Sequence, residues 1–376
     1  MDACRLCGEK SAIMLLDMGA HPIAHRYLTD SFQQEYVHPI VLMFCKHCGH
    51  FQLDNPIPAD LLYENYICLS SWKYQPHIPS LIRMIKNISG LKKTAKVLEV
   101  GSNDGIFLKA LMDEGYSDVI GIEPAQDAQA SAKKIGVRTI PGYFDARTAQ
   151  EFVAVNGNCD FFISRQMLEH INDLEKFIEA MRMVIKPGGY VLIEVPNFMT
   201  NLDTYDYTLW EEHINYFTLG SLNYFLAKAG VRIIHSETIV FSGDNIVVIG
   251  QYVGYSLPDM PLDYVGLLLA KALSYKDKWP SLRCLFNDFL KGQRERGKKI
   301  AIYGAGARLC SFVNFYVIGS NIEFVLDDQV EKQGKFLPGS KLPIVPGAFL
   351  EQRKIDLCLL GVNYECEEKV IAKHPD

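Results

Sequence analysis

Two Cys-x-x-Cys pairs, Cys4/Cys7 and Cys45/Cys48, stand near the start of this 376-residue chain. Thiolates two residues apart reach one ion from a tight knuckle, and two knuckles complete a tetrahedral four-sulfur shell suited to Zn²⁺. Gly8 and Gly49 follow the pairs directly, as such turns favour. Residues 1 to about 75 read as a small irregular unit, with turn signals at Gly8, Gly19, Pro22, Gly49 and Pro56. A unit of this size buries little apolar surface, so a metal staple is what would hold it together. Four thiolates leave no open coordination position, so the predicted role is structural, and His47 and His50 are spare donors that a complete set makes unnecessary.

The second constraint is the turn Val97-Leu-Glu-Val-Gly-Ser-Asn-Asp-Gly105. A strand carrying Glu99, then Gly101 and Gly105, lets the backbone approach a nucleoside closely at a helix N-terminus. The spacing Glu-x-Gly-x-x-x-Gly differs from the dinucleotide pattern and suits S-adenosylmethionine, which has no pyrophosphate to seat. Asn103 lines the turn. Some twenty residues on, Glu123-Pro124 ends the next predicted strand, where a carboxylate can accept both ribose hydroxyls.

From about 77 to 250 short β-branched runs alternate with helical stretches. Val97–Val100, Val119–Ile122, Phe161–Ile163 and Tyr190–Val195 read as buried parallel strands, and Val231–Val240 with Asn245–Val253 as an antiparallel closing pair. This is an α/β doubly wound layout. A long helical pattern, Tyr264–Arg296, follows, and Pro280 is expected to divide it. A second strand–turn–helix begins at Lys299–Tyr303 with Gly304-Ala-Gly306, and Phe324–Leu326 and Leu357–Leu360 read as further strands. The expected domains are a zinc-binding unit (1–75), an S-adenosylmethionine-binding Rossmann-like domain (76–257) and a smaller Rossmann-like domain (258–376).

Net charge of -6 argues against non-specific binding to nucleic acid or an anionic membrane. No apolar run approaches the roughly 20 residues of a membrane span, and no secretory leader is read at the N-terminus. Of ten cysteines, four are paired and six scattered, a pattern that fits a reduced, cytoplasmic protein holding zinc.

Two histidines stand out as proton acceptors. His170 lies in Ser164-Arg-Gln-Met-Leu-Glu-His170, just past a predicted strand; His213 lies in Trp210-Glu-Glu-His-Ile-Asn-Tyr-Phe217. Imidazole removes protons near neutral pH, and an adjacent carboxylate such as Glu212 can orient it. Packing at a helix start is the alternative for His170, and Tyr66 is either a packing residue or a substrate contact.

The chain resembles the three-domain sugar C-methyltransferases that act on nucleotide-linked 4-keto-deoxysugars. The resemblance rests on the cysteine pairs with Gly19-Ala-His-Pro22 between them, Tyr63-Glu-Asn-Tyr66 and Ser70-Ser71. It continues through Glu99-Val-Gly-Ser-Asn-Asp-Gly105 and Glu212-His213-Ile-Asn-Tyr-Phe217 to Tyr303-Gly-Ala-Gly-Ala-Arg308, Asp327, Lys332-Gln-Gly334, Pro338-Gly339 and Pro343-Ile344. It implies a base that removes the proton beside the C4 ketone, giving an enolate that takes the methyl group. By position His213 would be that base, Glu212 its partner, His170 a polar group near the keto oxygen, and Tyr66 a contact from the zinc unit. The implied partner is a nucleotide-sugar. This chain departs from the family with Trp210 in place of a tyrosine, with Phe241-Ser-Gly-Asp-Asn-Ile246 in place of a loop carrying histidine and arginine, with Ala307-Arg308-Leu-Cys-Ser311 in the third domain, and with Gly361-Val-Asn363 near the end. Those departures keep open O- or N-methylation of another polar substrate, or a scaffold that binds the cofactor without turnover. A dehydrogenase built on Gly304-Ala-Gly306 is the weakest alternative, because the third glycine is absent.

Overall fold

The computed structural model describes residues 3–64, 75–88, 90–254 and 261–374. The N-terminal unit is more regular than its turn signals suggest. Strands β1 (Ala12–Pro22), β2 (Val37–Cys45) and β3 (Phe51–Leu53) form an antiparallel sheet, interrupted by irregular register in β1. Alternation along β1 is weak, so sequence reading missed it. The sheet acquires its inward face only from residues elsewhere in the chain. Its fourth strand, Asn215–Tyr216, comes from the middle of the chain, with Phe51 opposite Tyr216.

The central sheet contains β4 (Lys96–Val100), β5 (Asp118–Glu123), β6 (Arg138–Pro141), β7 (Cys159–Arg165) and β8 (Ile185–Pro196). After the short β9 (Asn215–Tyr216) of the first sheet, β10 (Val231–Val240) and β11 (Asp244–Tyr252) close its edge. The strand order is β10-β11-β8-β7-β4-β5-β6, with β4 to β8 parallel and β11 antiparallel to β8. Helices cover both faces, so the central strands are apolar throughout: Val97, Leu98, Phe161, Phe162 and Ile163 are fully buried. The order reverses at β4, which opens a crevice at the carboxyl ends of β4 and β7.

The third sheet is parallel, with β12 (Ile300–Tyr303), β13 (Phe324–Leu326), β14 (Ile344–Val345) and β15 (Leu357–Leu360) in the order β14-β13-β12-β15. One helix, Leu262–Glu295, leads into it and runs through Pro280 rather than stopping there. Tyr275 and Trp279, on the turn before the proline, are fully buried beside Phe198, Phe315 and Tyr316. Burying two such side chains stabilises by several kcal/mol, enough to offset the roughly 3 kcal/mol intrinsic cost of a mid-helix proline.

One apolar cluster joins all three segments: Leu42, Phe44 and Phe51 from the first sheet, Phe198 and Leu209 from the middle, and Leu268, Trp279, Val313 and Phe315 from the last. The segments the sequence separates are therefore packed on one another around shared side chains.

Candidate functional site

The four sulfurs of Cys4, Cys7, Cys45 and Cys48 lie within 4.8 Å of one another. Two of the separations, Cys4–Cys48 and Cys7–Cys45, are both 3.7 Å. A tetrahedron with Zn–S bonds of about 2.3 Å has edges of about 3.8 Å, so the donor set fits Zn²⁺ closely. The knuckles are built alike. The Gly8 N–H donates to the Cys4 carbonyl (2.8 Å) and the Gly49 N–H to the Cys45 carbonyl (2.9 Å), with both glycines at positive φ. His47 is exposed, and His50 is buried with Nε2 3.3 Å from Asn215 Oδ1, so neither joins the sulfurs. Burial lowers the His50 pKa to about 4.

At the crevice, β4 ends in Glu99 and Val100, and the chain turns at Gly101 with φ +67°. A Cβ there would stand 3.0 Å from Met167 Sδ, and one on Gly121 would stand 2.2 Å from Ser102 Oγ. Both positions need glycine for the turn to lie this close to its neighbours. Gly105 lies outside the crevice lining. It has φ +76°, and an added Cβ would crowd Ala132 and Val137, so its role is to seat the following helix, Ile106–Asp113. The Glu123 carboxylate accepts the Asn103 N–H (2.9 Å) and the Ala125 N–H (2.8 Å), which fixes it across the turn. Burial raises its pKa. Pro124 is exposed, with its carbonyl on the Gln129 amide.

The crevice is lined by Glu99, Gly101, Ser102, Asn103, Asp104, Phe107 and Glu123 on one side and by Tyr63, Gln75, Arg165, Gln166, Met167, His170 and Glu212 on the other. Glu99 Oε2 and Ser102 Oγ are buried there without a hydrogen-bond partner among the described residues. Unsatisfied polar atoms at a glycine turn, with a fixed carboxylate beyond them, match an adenosine-bearing ligand. Glu99, Gly101, Asn103 and Glu123 are the residues that would hold S-adenosylmethionine.

The crevice floor is an ionic network that sequence reading missed. Arg165, the last residue of β7, donates to Glu194 Oε2 (2.9 Å), to Glu99 Oε1 (3.4 Å) and to Gln75 Oε1 (2.8 Å). Its guanidinium lies over the Phe107 ring at 4.1 Å. His77 Nε2 is 3.1 Å from Glu194 Oε1 and its ring stacks on Phe241 at 3.9 Å. Burial pushes the Glu194 pKa up, but Arg165 and His77 outweigh this and hold it at about 2. Glu99 is less well served: burial dominates over the Arg165 charge and its pKa rises to about 8. The available signal was positional, since strand ends at a switch point carry the binding residues.

His170 and His213 come together, their rings perpendicular with centroids 4.9 Å apart. His213 is also held against Trp210, centroids 3.9 Å apart. Burial, the neighbouring His170 and Arg308 drive the His213 pKa well below its usual value. Burial lowers that of His170 too, while the Glu212 charge works the other way. His170 Nδ1 lies 2.9 Å from the Glu212 carbonyl oxygen. A carbonyl only accepts, so Nδ1 carries the proton and the neutral ring presents an unprotonated Nε2.

Glu212 is not the partner of His213, contrary to expectation. Its carboxylate Oε1 sits 3.0 Å from His25 Nδ1, because adjacent residues on the Trp210–His213 turn project their side chains in different directions. The Glu169 carboxyl has an oxygen within 4.8 Å of nitrogens of both rings. It is buried, neither oxygen has a partner among the described residues, and burial raises its pKa to about 8. Tyr66 and Ser70-Ser71 lie outside the described residues. Tyr63 of the same motif is placed, with its hydroxyl 3.2 Å from His170 Nδ1.

The turn at Gly304–Gly306 is closed. Asp327 accepts the Ala305 N–H (2.8 Å) and the Gln329 N–H (2.8 Å) and pairs with Lys332 at 3.3 Å. Tyr27 of the zinc unit donates its hydroxyl to the Ala305 carbonyl at 2.5 Å. Among the described residues no helix is long and apolar enough to cross a membrane.

Fold and site together define an S-adenosylmethionine-dependent methyltransferase. Three domain families match the chain in order: "Putative zinc binding domain" at residues 4–63, "Methyltransferase domain" at 71–236 and "C-methyltransferase C-terminal domain" at 269–376. The C-methyltransferase NovU of Streptomyces niveus is 28% identical over 92% of this chain and 85% of its own length. A ubiquinone biosynthesis O-methyltransferase of Pectobacterium atrosepticum is 33% identical, over only 27% of this chain and 43% of its own length. Among solved structures, magnesium protoporphyrin IX methyltransferase (ChlM) from Synechocystis PCC 6803 with bound SAH superposes with a TM-score of 0.37 at 12% identity, over 46% of this chain and 81% of that one. PH0226 protein from Pyrococcus horikoshii OT3 gives a TM-score of 0.39 at 16% identity, over 51% and 97%. The chain is therefore an S-adenosylmethionine-dependent methyltransferase with an N-terminal zinc-binding unit, similar over most of its length to a C-methyltransferase.

Proposed function

We propose that this C-methyltransferase acts on a nucleotide-linked 4-keto-deoxysugar, through an enolate formed by a histidine base. The observation that carries the reading is the pair of imidazoles, half-buried His170 and His213 behind it, 4.9 Å apart beside the cofactor crevice. Carbon has no lone pair to offer a methyl donor, so C-methylation needs a proton removed first. Burial that lowers both histidine pKa values keeps them unprotonated at neutral pH, ready to accept one.

When bound, S-adenosylmethionine supplies an electrophilic methyl group. The chain's own residues do the rest. Glu123 and the Gly101–Asp104 turn hold the nucleoside end of the cofactor. His213 takes the proton from the carbon beside the ketone, and the apolar face of Trp210 limits water around it. His170 and the hydroxyl of Tyr63 line the same space, and Glu212 supplies negative charge that stabilises imidazolium once the proton is transferred. A second reading exchanges the two histidines. It is favoured by His170 lining the crevice with an unprotonated Nε2 and the more favourable electrostatic neighbour.

The test is incubation of purified protein and S-adenosylmethionine with thymidine-, GDP- and CDP-linked 4-keto sugars in D₂O. Addition of one CH₂ on carbon together with exchange of the proton beside the ketone is expected. Methylation confined to oxygen or nitrogen, without exchange, would overturn the reading. Cofactor binding without transfer to any acceptor would point to a scaffold.

A further inference from the structure

We infer that His25, delivered by the zinc unit, is a positioning residue for Glu212 in the methyltransferase site; the inference rests on the methyl-transfer reading above. Beyond β1 the chain leaves the first sheet and crosses to the Trp210–His213 turn. Two consecutive residues of one segment meet two consecutive carboxyl groups of the other. The Ala24 N–H donates to Glu211 Oε1 at 2.6 Å, and His25 Nδ1 lies 3.0 Å from Glu212 Oε1. Both carboxyl groups are buried, Glu211 at 2% and Glu212 at 8% exposure, so like charges side by side would be costly. Burial, aided by the Glu212 charge, raises the Glu211 pKa to about 8 and keeps it protonated at neutral pH. The negative charge of the pair therefore sits on Glu212, where the imidazole N–H of His25 donates to it.

Held in this way, Glu212 lines the crevice beside His170 and Tyr63. Its backbone carbonyl accepts His170 Nδ1–H, and its charge favours protonated His170. His25 thus fixes one end of a residue whose other end fixes the histidine pair. Without that imidazole, the carboxylate is free to rotate away, and the charge that supports proton acceptance goes with it. The groups facing this relay are Glu211, His170, His213, the buried Glu169 and, acting on His213, Arg308.

The segment that carries His25 is anchored independently of the imidazole. Ile23 packs with Ile57 and Leu62, the Arg26 N–H closes a turn on the Ile23 carbonyl, and Leu28 exchanges two backbone hydrogen bonds with Phe336. A change at His25 should therefore leave the loop in place, which makes the role testable.

The experiment compares zinc-loaded, full-length His25→Leu and His25→Asn with the parent protein. His25→Leu should lower kcat on the order of tenfold to a hundredfold, a share of what a general base contributes, with KM for S-adenosylmethionine and the melting temperature unchanged. His25→Asn, whose side-chain amide can donate to Glu212, should recover most of the loss. An unaltered kcat in His25→Leu, or an asparagine variant no better than leucine, would overturn the assignment. Proton NMR of the resting protein adds a readout without substrate: a low-field, slowly exchanging ring N–H from His25, lost in Glu212→Gln. Absence of that signal overturns the dyad. Its presence in a protein that turns over no keto sugar would support the dyad and reject the substrate reading instead.

Discussion

Two strand–glycine–helix turns in this chain share a fold and differ in their state. At Gly101–Gly105 the turn opens on a crevice where Glu99 Oε2 and Ser102 Oγ have no partner among the described residues. At Gly304–Gly306 the corresponding acidic residue, Asp327, accepts two backbone N–H groups as Glu123 does, but it also pairs with Lys332, and Tyr27 caps the turn from the zinc unit. Buried polar atoms without a partner gain most from a ligand, whereas a turn already ion-paired and capped by a neighbouring segment gains little. A Rossmann-like turn is thus a frame, and its function depends on whether neighbouring segments fill it. The dehydrogenase alternative loses its footing on the same ground.

The zinc unit decides this contrast, so removing its metal should have the largest effect. Structural zinc sites contribute apparent binding energies of about 10 kcal/mol or more. Chelation, or Cys45→Ser, is expected to unfold the first sheet, release Tyr27 and His25 from their partners, and abolish activity through loss of structure. Thermal melting followed alongside turnover checks this; inactivation of a chelated protein that stays fully folded would contradict it.

Next in size come the histidines of the open site. His213→Ala should lower methyl transfer by about 10²- to 10⁴-fold and abolish exchange of the proton beside the ketone, with S-adenosylmethionine affinity near normal. If His213→Ala keeps exchange and His170→Ala loses it, His170 is the base.

The comparison of turns is sharpened directly by paired carboxylate variants. Glu123→Ala should weaken S-adenosylmethionine binding by about tenfold or more, the scale of one charge-assisted hydrogen bond. Asp327→Ala should leave that dissociation constant unchanged. Calorimetric titration of both variants is the check, and equal effects would remove the distinction between the two turns.

The smallest expected effect is on stability against pH. Glu99, Glu169 and Glu211 have folded pKa values raised to about 8, so the folded state binds more protons than the unfolded chain between about pH 4.5 and 8. Their contribution is complete below that window and lost as pH rises through it. His50, His170 and His213 have lowered pKa values, so their contribution is complete above about pH 6.5 and lost as pH falls. The two trends oppose below pH 6.5, and only the carboxyl trend continues above it. The cofactor-free protein should therefore lose melting temperature between pH 6.5 and 8, and Glu169→Gln should flatten that slope. A slope unchanged in the variant would count against the buried, protonated Glu169.

Much of the architecture was legible in the residues. The strands of the central sheet declared themselves as buried β-branched and aromatic runs, and Phe324–Leu326 and Leu357–Leu360 fall where the pattern puts them. The first sheet did not, because β1 gains its buried face from Phe198, Tyr216 and the helix Leu262–Glu295, all distant in sequence. Pro280 misled for the same reason: local propensity predicts a break, and packing of Trp279 overrides it. At the site, the glycine turn, Glu123 and the two histidines were readable. Arg165, His77 and the true partner of Glu212 were not.

What the chain determined by itself was local. A knuckle of two thiolates and a glycine, a turn whose left-handed backbone at Gly101 favours glycine, and a carboxylate at the next strand end each depend on residues only a few positions apart or on fixed strand geometry. The tertiary structure decided which charge meets which. His25 and Glu212 are 187 residues apart, and Arg165 and Glu99 are 66 apart. Those pairs exist only once three separately patterned segments pack around one core, because Coulomb attraction and hydrogen bonding act at contact distance, whatever the spacing along the chain.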